Sequence, residues 1–412
     1  MRARLLFVLL LLGIPRAGSA RPGPAADLAP TVILISFDGW RADYAQRYAA
    51  PNLRRLIERG TSADLVPSFP SKTFPNHYTL VTGLRPGHHG IVANSVKDTA
   101  TGRLFTMWDR KEVRDPMWWG GAPLWVGLEK AGQKTAAMFW PGTETAIGGL
   151  YPSHWEAYDD KLPGEARVDR VLGWLDLPAA ERPTFLMLYF SDVDSAGHRH
   201  GPHSRAVRRA VRRVDDHLGR LLKGLKKRGL EDRVNLVIVS DHGMAETSLD
   251  RIVVLDDILS LDGLEVVDIN PTLGLFAPPE RVDEVYETLA RAHPRLKVYR
   301  RAQTPEHWHY RDHPRVPPIV GVVDEGWQVV TRAMRDAARR RAGDGPTGAH
   351  GYDPAEAPSM RGLFVAAGPA FRQGVRLSAL DNVNVYPALA QILGLPPAQN
   401  DGDPVVARSL LR

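Results

Sequence analysis

Cysteine is absent from all 412 residues. That excludes disulfides as a source of stability and thiolates as metal ligands, so any bound cation must be held by His, Asp or Glu. Long apolar runs are missing as well. The run Leu5–Leu12 is too short to cross a bilayer, and no later segment approaches the roughly 20 apolar residues that a membrane helix requires. No internal repeat or low-complexity tract is present. Strong charge imbalance is also lacking. The excess of +6 includes Arg2, Arg4 and Arg16, and without those three it falls to +3, a weak argument for an anionic partner.

The first twenty residues carry a pattern of their own. Arginines at 2 and 4, the apolar run, and the small-residue ending Ala17-Gly18-Ser19-Ala20 predict a cleavable secretory signal, cut near Ala20. A periplasmic or secreted monomer is expected. The remainder, 43% apolar and 24% charged over the whole sequence, can bury a substantial core and reads as one domain over residues 21–412. The densest basic stretch, residues 205–228, repeats Val207, Ala210, Val211, Val214, Leu218 and Leu221 at a helical period. Its cations are expected on a solvated helix face. With no aromatic residue interleaved for base stacking, no nucleic-acid groove is predicted.

Strand-like runs at Thr31–Phe37, Lys134–Trp140, Thr184–Phe190, Val234–Ser240 and Gly362–Ala367 alternate with amphipathic, helix-length segments. The alternation predicts an α/β fold, a central sheet with helices on both faces and ligands bound beyond the carboxyl ends of its strands. Residues 249–346 are expected to form a cap-like insertion, with a strand over Glu265–Phe276, a helix over Glu280–His293, a strand over Lys297–Arg301 and a proline-rich connection at 313–318.

Acidic and imidazole groups cluster just after these runs. Phe37-Asp38-Gly39, the segment from Ser191 through Asp194 to His198, and Ser240-Asp241-His242-Gly243 follow such runs, and with one more imidazole from a fourth block, Ala349-His350-Gly351, they supply three carboxylates and three imidazoles. Each block alone reads equally well as a capping turn. Together, Asp38, Asp194, His198, Asp241, His242 and His350 divide into three ligands for each of two zinc-like cations, leaving open positions for substrate. Two dications against three carboxylates leave the site near +1, which suits a phosphodiester monoanion better than a monoester dianion. Thr73 offers a hydroxyl that such cations could activate, and Ser71 is the alternative nucleophile. His77, His88, His89, His200, His203, His307, His309 and His313 are assigned structural or surface positions, and Asp43 and Asp192 orienting roles.

At this point a family becomes visible. Lys72-Thr73-Phe74-Pro75-Asn76-His77-Tyr78, then Val81-Thr82-Gly83-Leu84 and His89-Gly90-Ile91, resemble the signature of the nucleotide pyrophosphatase/phosphodiesterase family of the alkaline phosphatase superfamily. Asp38-Gly39-Trp40-Arg41, Phe139-Trp140-Pro141-Gly142, Asp194 to Pro202, Val239 to Met244 and His350-Gly351-Tyr352 continue the match in order, and it covers nearly the whole chain after the signal. Trp40 stands where Phe is more usual, and Ala93 where an acidic residue often precedes the Asn. Without additional Cys-rich or nuclease-like domains, the chain resembles the minimal bacterial catalytic type.

The resemblance implies one zinc ion held by Asp194, His198 and His350 and a second by Asp38, Asp241, His242 and the nucleophile Thr73. It implies that Asn94 donates to a non-bridging phosphate oxygen, although Asn94 alone also reads as a turn residue. Phe74 and Tyr158 resemble the aromatic pair that stacks a nucleobase, with Trp118, Trp119, Trp125 and Trp155 as packing beneath. The expected reaction is hydrolysis of nucleotide pyrophosphate or 5'-phosphodiester bonds through a covalent threonine intermediate. Phosphocholine or glycerophosphodiester lipids on the same site are an alternative substrate class, and a catalytically silent metal-containing binding protein is the non-enzymatic alternative.

Overall fold

The computed structural model describes residues 27–341 and 346–412; the expected signal at 1–20 lies outside them. Five runs rich in β-branched and large apolar residues form strands at Thr31–Phe37, Thr135–Met138, Phe185–Phe190, Val234–Val239 and Gly362–Ala367. They belong to one nine-stranded sheet. Thr31–Phe37 lies at its centre, parallel to both Phe185–Phe190 and Val234–Val239. Gly362–Ala367 runs antiparallel beside Val234–Val239. The chain has the α/β fold with a central sheet.

Side chains alternate across a strand, so each strand supplies two cores. Val32, Leu34, Met187, Val237 and Val239 enter one, packed under helices Thr73–Thr82 and Val385–Ile392. Ile33, Ile35, Leu186, Leu188, Leu236 and Ile238 enter the other, covered by helices Gly164–Leu175 and Arg205–Lys227. Strands buried on both faces read as continuous apolar runs, which is why they were legible.

Thr61–Val66 is a strand that the sequence reading does not contain. Its Thr-Ser-Ala-Asp start lacks a clear apolar run, yet it pairs antiparallel with Gly362–Ala367. The expected single strand Glu265–Phe276 is instead a hairpin of Glu265–Ile269 and Thr272–Phe276. Asn270 has φ +64°, and Pro271 brings no backbone donor, so the ladder breaks there. With Ile319–Val323 and Leu296–Arg300 these strands make a separate four-stranded sheet. Helix Val282–Ala290 contributes Val285 and Leu289 to its core. The chain leaves and rejoins the main body along a short antiparallel ladder, Ala245–Thr247 with Thr347–Ala349. That ladder delivers His350 beside His242.

Candidate metal and phosphodiesterase site

The six predicted ligands meet at the carboxyl rim of the sheet. Asp38 follows the central strand, and Asp241 and His242 follow its parallel neighbour Val234–Val239. Asp194 and His198 occupy helix Asp192–His200, which begins just after the neighbour on the other side. Gly39, at φ +69°, lets these segments touch. A Cβ there would lie 2.7 Å from the Asp194 Cα, and the Asp194 N–H donates to the Asp38 carbonyl at 3.0 Å. The Gly39 N–H reaches Asp241 Oδ1 at 3.3 Å, and the Trp40 N–H reaches Ser240 Oγ at 2.9 Å.

Each of the three imidazoles has one nitrogen against a backbone carbonyl. His198 Nδ1 lies 2.9 Å from Gly348 O, His242 Nδ1 2.8 Å from Gly243 O, and His350 Nδ1 2.9 Å from Ser71 O. A carbonyl only accepts, so Nδ1 carries the proton in every ring and a neutral ring turns a lone pair inward at Nε2. The two lone-pair nitrogens of His198 and His350 are 3.0 Å apart. His242 Nε2 lies 3.0 Å from Asp241 Oδ2, 3.5 Å from Asp38 Oδ1 and 3.2 Å from Thr73 Oγ1. Asp38 Oδ1, Asp194 Oδ1 and Asp241 Oδ2 are buried with no hydrogen-bond partner. Three buried carboxylate oxygens facing one space demand positive charge, supplied by protonated imidazole or by a bound cation, and the set of carboxylates and imidazoles fits divalent metal. Asp194, His198 and His350 form one group close enough to hold an ion, and Asp38, Asp194 and His242 form another.

Titration follows from the same crowding. Burial, then Asp241 and Asp194, push the Asp38 carboxyl well above its usual range. Burial alone would lower His198, but Asp194 outweighs it and raises the ring to about 9. His242 is likewise raised, burial being overcome by Asp241. Burial and the neighbouring His242 and His198 hold His350 well below the ordinary value.

Thr73 is the first residue of helix Thr73–Thr82, where free N–H groups and the helix dipole favour an anion. Ser71 is placed differently: its hydroxyl donates to Tyr352 O at 2.7 Å and accepts from the Gly351 N–H, so it is committed to the backbone. Asn94 Oδ1 accepts the Phe74 N–H at 3.0 Å, which fixes the amide and leaves its NH2 to donate elsewhere. Thr73, Phe74, Tyr158, Asp38 and Asp194 line one cavity of about 210 Å³. Trp119 packs behind Phe74 with ring centroids 6.0 Å apart.

Two residues at the site were not assigned to it from sequence. Tyr189 donates its phenol to Asp38 Oδ2 at 2.6 Å and lines the cavity. His77 bridges Ser36 Oγ at 2.8 Å and the Thr73 carbonyl at 2.9 Å, with Asp241 Oδ2 3.3 Å from its Nδ1, so its structural role is exercised at the backbone of Thr73. A strand-end Tyr and a helical His i+4 from Thr73 were the available signals. The other histidines stand apart: His88 binds Asp401, His89 binds Thr79, His307 binds Asp353, and His200 and His203 are exposed. Asp192 pairs with Arg213, and Asp43 with Arg41 and Arg47.

A profile described as "Type I phosphodiesterase / nucleotide pyrophosphatase" matches residues 32–353. The chain belongs to this family. It is a hydrolase of the alkaline phosphatase superfamily, with Asp and His groups suited to metal. An uncharacterized pyrophosphatase/phosphodiesterase of Schizosaccharomyces pombe is 39% identical over 384 residues, covering 90% of this chain and 78% of its own length. The bis(5'-adenosyl)-triphosphatase enpp4 of Mus musculus is 38% identical, covering 91% and 80%. Among solved structures, human ectonucleotide pyrophosphatase/phosphodiesterase 5 superposes with a TM-score of 0.87 at 35% identity, covering 92% of this chain and 99% of its own. An inactive murine form of that protein in complex with AMP gives 0.86 at 34% identity, covering 93% and 100%. No described helix of this phosphodiesterase is long and apolar enough to cross a membrane.

Proposed function

We propose that the chain is an exported two-zinc phosphodiesterase that cleaves nucleotide pyrophosphate or 5'-phosphodiester bonds and releases a nucleoside 5'-monophosphate. The observation that carries this reading is the position of Thr73. Its Oγ1 lies 3.2 Å from His242 Nε2, at a helix N-terminus, in the wall of a cavity shared with Phe74 and Tyr158. Two zinc ions, one with Asp194, His198 and His350 and one with Asp38, Asp241, His242 and Thr73, would favour the ionised threonine hydroxyl and offset phosphate charge.

Thr73 Oγ1 loses its proton and attacks phosphorus; the bond to the leaving group breaks, leaving a threonine-linked phosphodiester. Water then cleaves that ester, and the nucleoside monophosphate departs. The Asn94 amide steadies a non-bridging oxygen through the transition state. Phe74 and Tyr158 hold the base, a stacking contact worth roughly 1 to 3 kcal/mol. Arg110, the guanidinium among the lining residues, shares Glu144 with Arg114. The inserted sheet acts as a cap on one catalytic domain running from about residue 21 to 412.

The nucleotide in the murine relative's complex and the adenosyl substrate in the mouse relative's name support this class. The test is product analysis on NAD, a nucleoside triphosphate and a dinucleoside polyphosphate. A nucleoside 5'-monophosphate is expected from each. Release of inorganic phosphate from the triphosphate, with no monophosphate, would contradict the proposal.

A further inference from the structure

Helix Arg205–Lys227 carries nine basic residues, and they fall into two sets. Arg213 and Arg220 are paired, with Asp192 and Asp169. Arg205, Arg208, Arg209, Arg212, Lys223, Lys226 and Lys227 are all exposed and have no carboxylate within ion-pair distance among the described residues. At 3.6 residues per turn these seven fall within a sector of roughly 100° on one helix face. The stripe runs about 34 Å, the length of a 23-residue helix.

Asp216 is the acidic side chain in that sector, so the stripe is close to +6. The chain after residue 20 is only +3, so everything outside the stripe is net negative. The stripe has two ends, Arg205 to Arg212 and Lys223 to Lys227, separated by residues 213–222, which include Asp216. Within each end neighbouring cations lie about 5–6 Å apart, inside the ~8 Å screening length at physiological salt, so their fields add there.

A second observation identifies the partner. Beside the carboxyl half of the stripe opens a cavity of about 550 Å³ whose wall holds Arg55, Arg59, Lys223, Lys226 and Arg412 against Glu231 and Asp232, Arg59 being paired with Asp232, so cations outnumber carboxylates by three, with apolar Leu56 and Leu222 also in the lining. Cations above an apolar floor match a phospholipid headgroup with the start of its acyl chains. A nucleic acid would need aromatic side chains for stacking, and the stripe has none. A protein partner would need an apolar anchor, and no large hydrophobic side chain is exposed on this helix. Long flexible cations on a convex face suit a surface of many anionic headgroups.

We infer that the Arg205–Lys227 face docks the protein onto anionic phospholipid bilayers. Phe74 and Trp140 of the catalytic cavity pack in the core on the opposite side of the sheet from this helix, Phe139 packs in the helix's own core, and none of the seven stripe cations lines the cavity, so docking leaves it clear. The surface acts independently of the catalytic chemistry.

The experiment is vesicle co-sedimentation of the full chain with phosphatidylcholine alone and with phosphatidylcholine containing 30% phosphatidylglycerol (about 1 kcal/mol per basic residue near an anionic surface sets the scale). Binding is expected to the mixed vesicles only, and to disappear in about 0.5 M NaCl. The variant Arg208→Glu, Arg212→Glu, Lys223→Glu and Lys226→Glu should bind at least about a hundredfold more weakly while keeping its phosphodiesterase rate and melting temperature. A control reversing Lys130, Lys161, Arg339 and Arg340, exposed cations elsewhere, changes net charge equally and should still bind. Equal loss in both variants would overturn the proposal in favour of net charge alone. Binding to polyphosphate or DNA without binding to the mixed vesicles would overturn it in favour of a soluble polyanion.

Discussion

At the scale of single residues, the site is a set of lone pairs held in place by the backbone. Gly348, Gly243 and Ser71 carbonyls fix three imidazole tautomers, and Tyr189 fixes one carboxylate. Thr73→Ala removes the proposed nucleophile while leaving the three imidazoles and three carboxylates. Zinc content by mass spectrometry should be retained and kcat should fall at least about a thousandfold. A near-normal rate would exclude Thr73 as nucleophile. Tyr189→Phe deletes the 2.6 Å hydrogen bond to Asp38 and is expected to weaken zinc about 10- to 100-fold in a chelator competition. Unaltered affinity would make Tyr189 ordinary packing.

Protonation gives a third residue-level prediction. In the chelated protein, Asp194 keeps His198 charged up to about pH 9 and Asp241 raises His242, so zinc must displace their protons. Uptake near pH 7 should release protons, measured by calorimetry in buffers of different ionisation enthalpy. The release should shrink as pH rises past about 9, and the apparent affinity should fall as pH drops. A pH-independent affinity between 6 and 9 would contradict this.

The convergence of the candidate ligands was legible because three of their four blocks follow an apolar strand run and all four are short Asp, His and Gly combinations. Tyr189 was not, because its partner Asp38 is 151 positions away in sequence. Nothing in a run of apolar residues marks the one hydroxyl that reaches across to another strand.

Among the elements, the inserted sheet is tied to the segment that carries Thr73. Lys72 Nζ lies 2.6 and 2.7 Å from the two Asp268 oxygens, the pair being 5% and 12% exposed, and Asp268 also accepts from Thr272 at 2.5 Å. Lys72→Met leaves Asp268 without its cation, and urea unfolding should show a loss of about 3–5 kcal/mol. Lys72→Met with Asp268→Asn removes both charges while keeping an acceptor for Thr272, and should recover most of that loss. Additive losses would mean the two side chains are not coupled.

The elements also show where sequence pattern loses information. Thr31–Phe37 and Gly362–Ala367 were read with their observed bounds, since both are apolar along their length. Thr61–Val66 was invisible because its place is set by pairing with Gly362–Ala367, some 300 residues later. The Glu265–Phe276 hairpin was mistaken for one strand because its apolar character continues across a two-residue reversal at Asn270 and Pro271.

Across the whole molecule, six candidate ligands from four distant segments converge, and the Ala245–Thr247 ladder with Thr347–Ala349 brings in the last of them. Sequence spacing could nominate His350 but could not show its ring stacked on His242, with centroids 3.5 Å apart. Together with Thr73, these groups are proposed to make a metal-dependent phosphodiesterase selective for nucleotides. The most direct measurement is hydrolysis of a chromogenic thymidine 5'-monophosphate ester beside matching phosphocholine and simple phosphate esters, before and after chelation and after zinc is restored. The nucleotide diester should be cleaved fastest, activity should vanish on chelation, and zinc should bring it back. Activity that survives complete metal removal, or a preference for the phosphocholine or simple phosphate ester, would contradict the account.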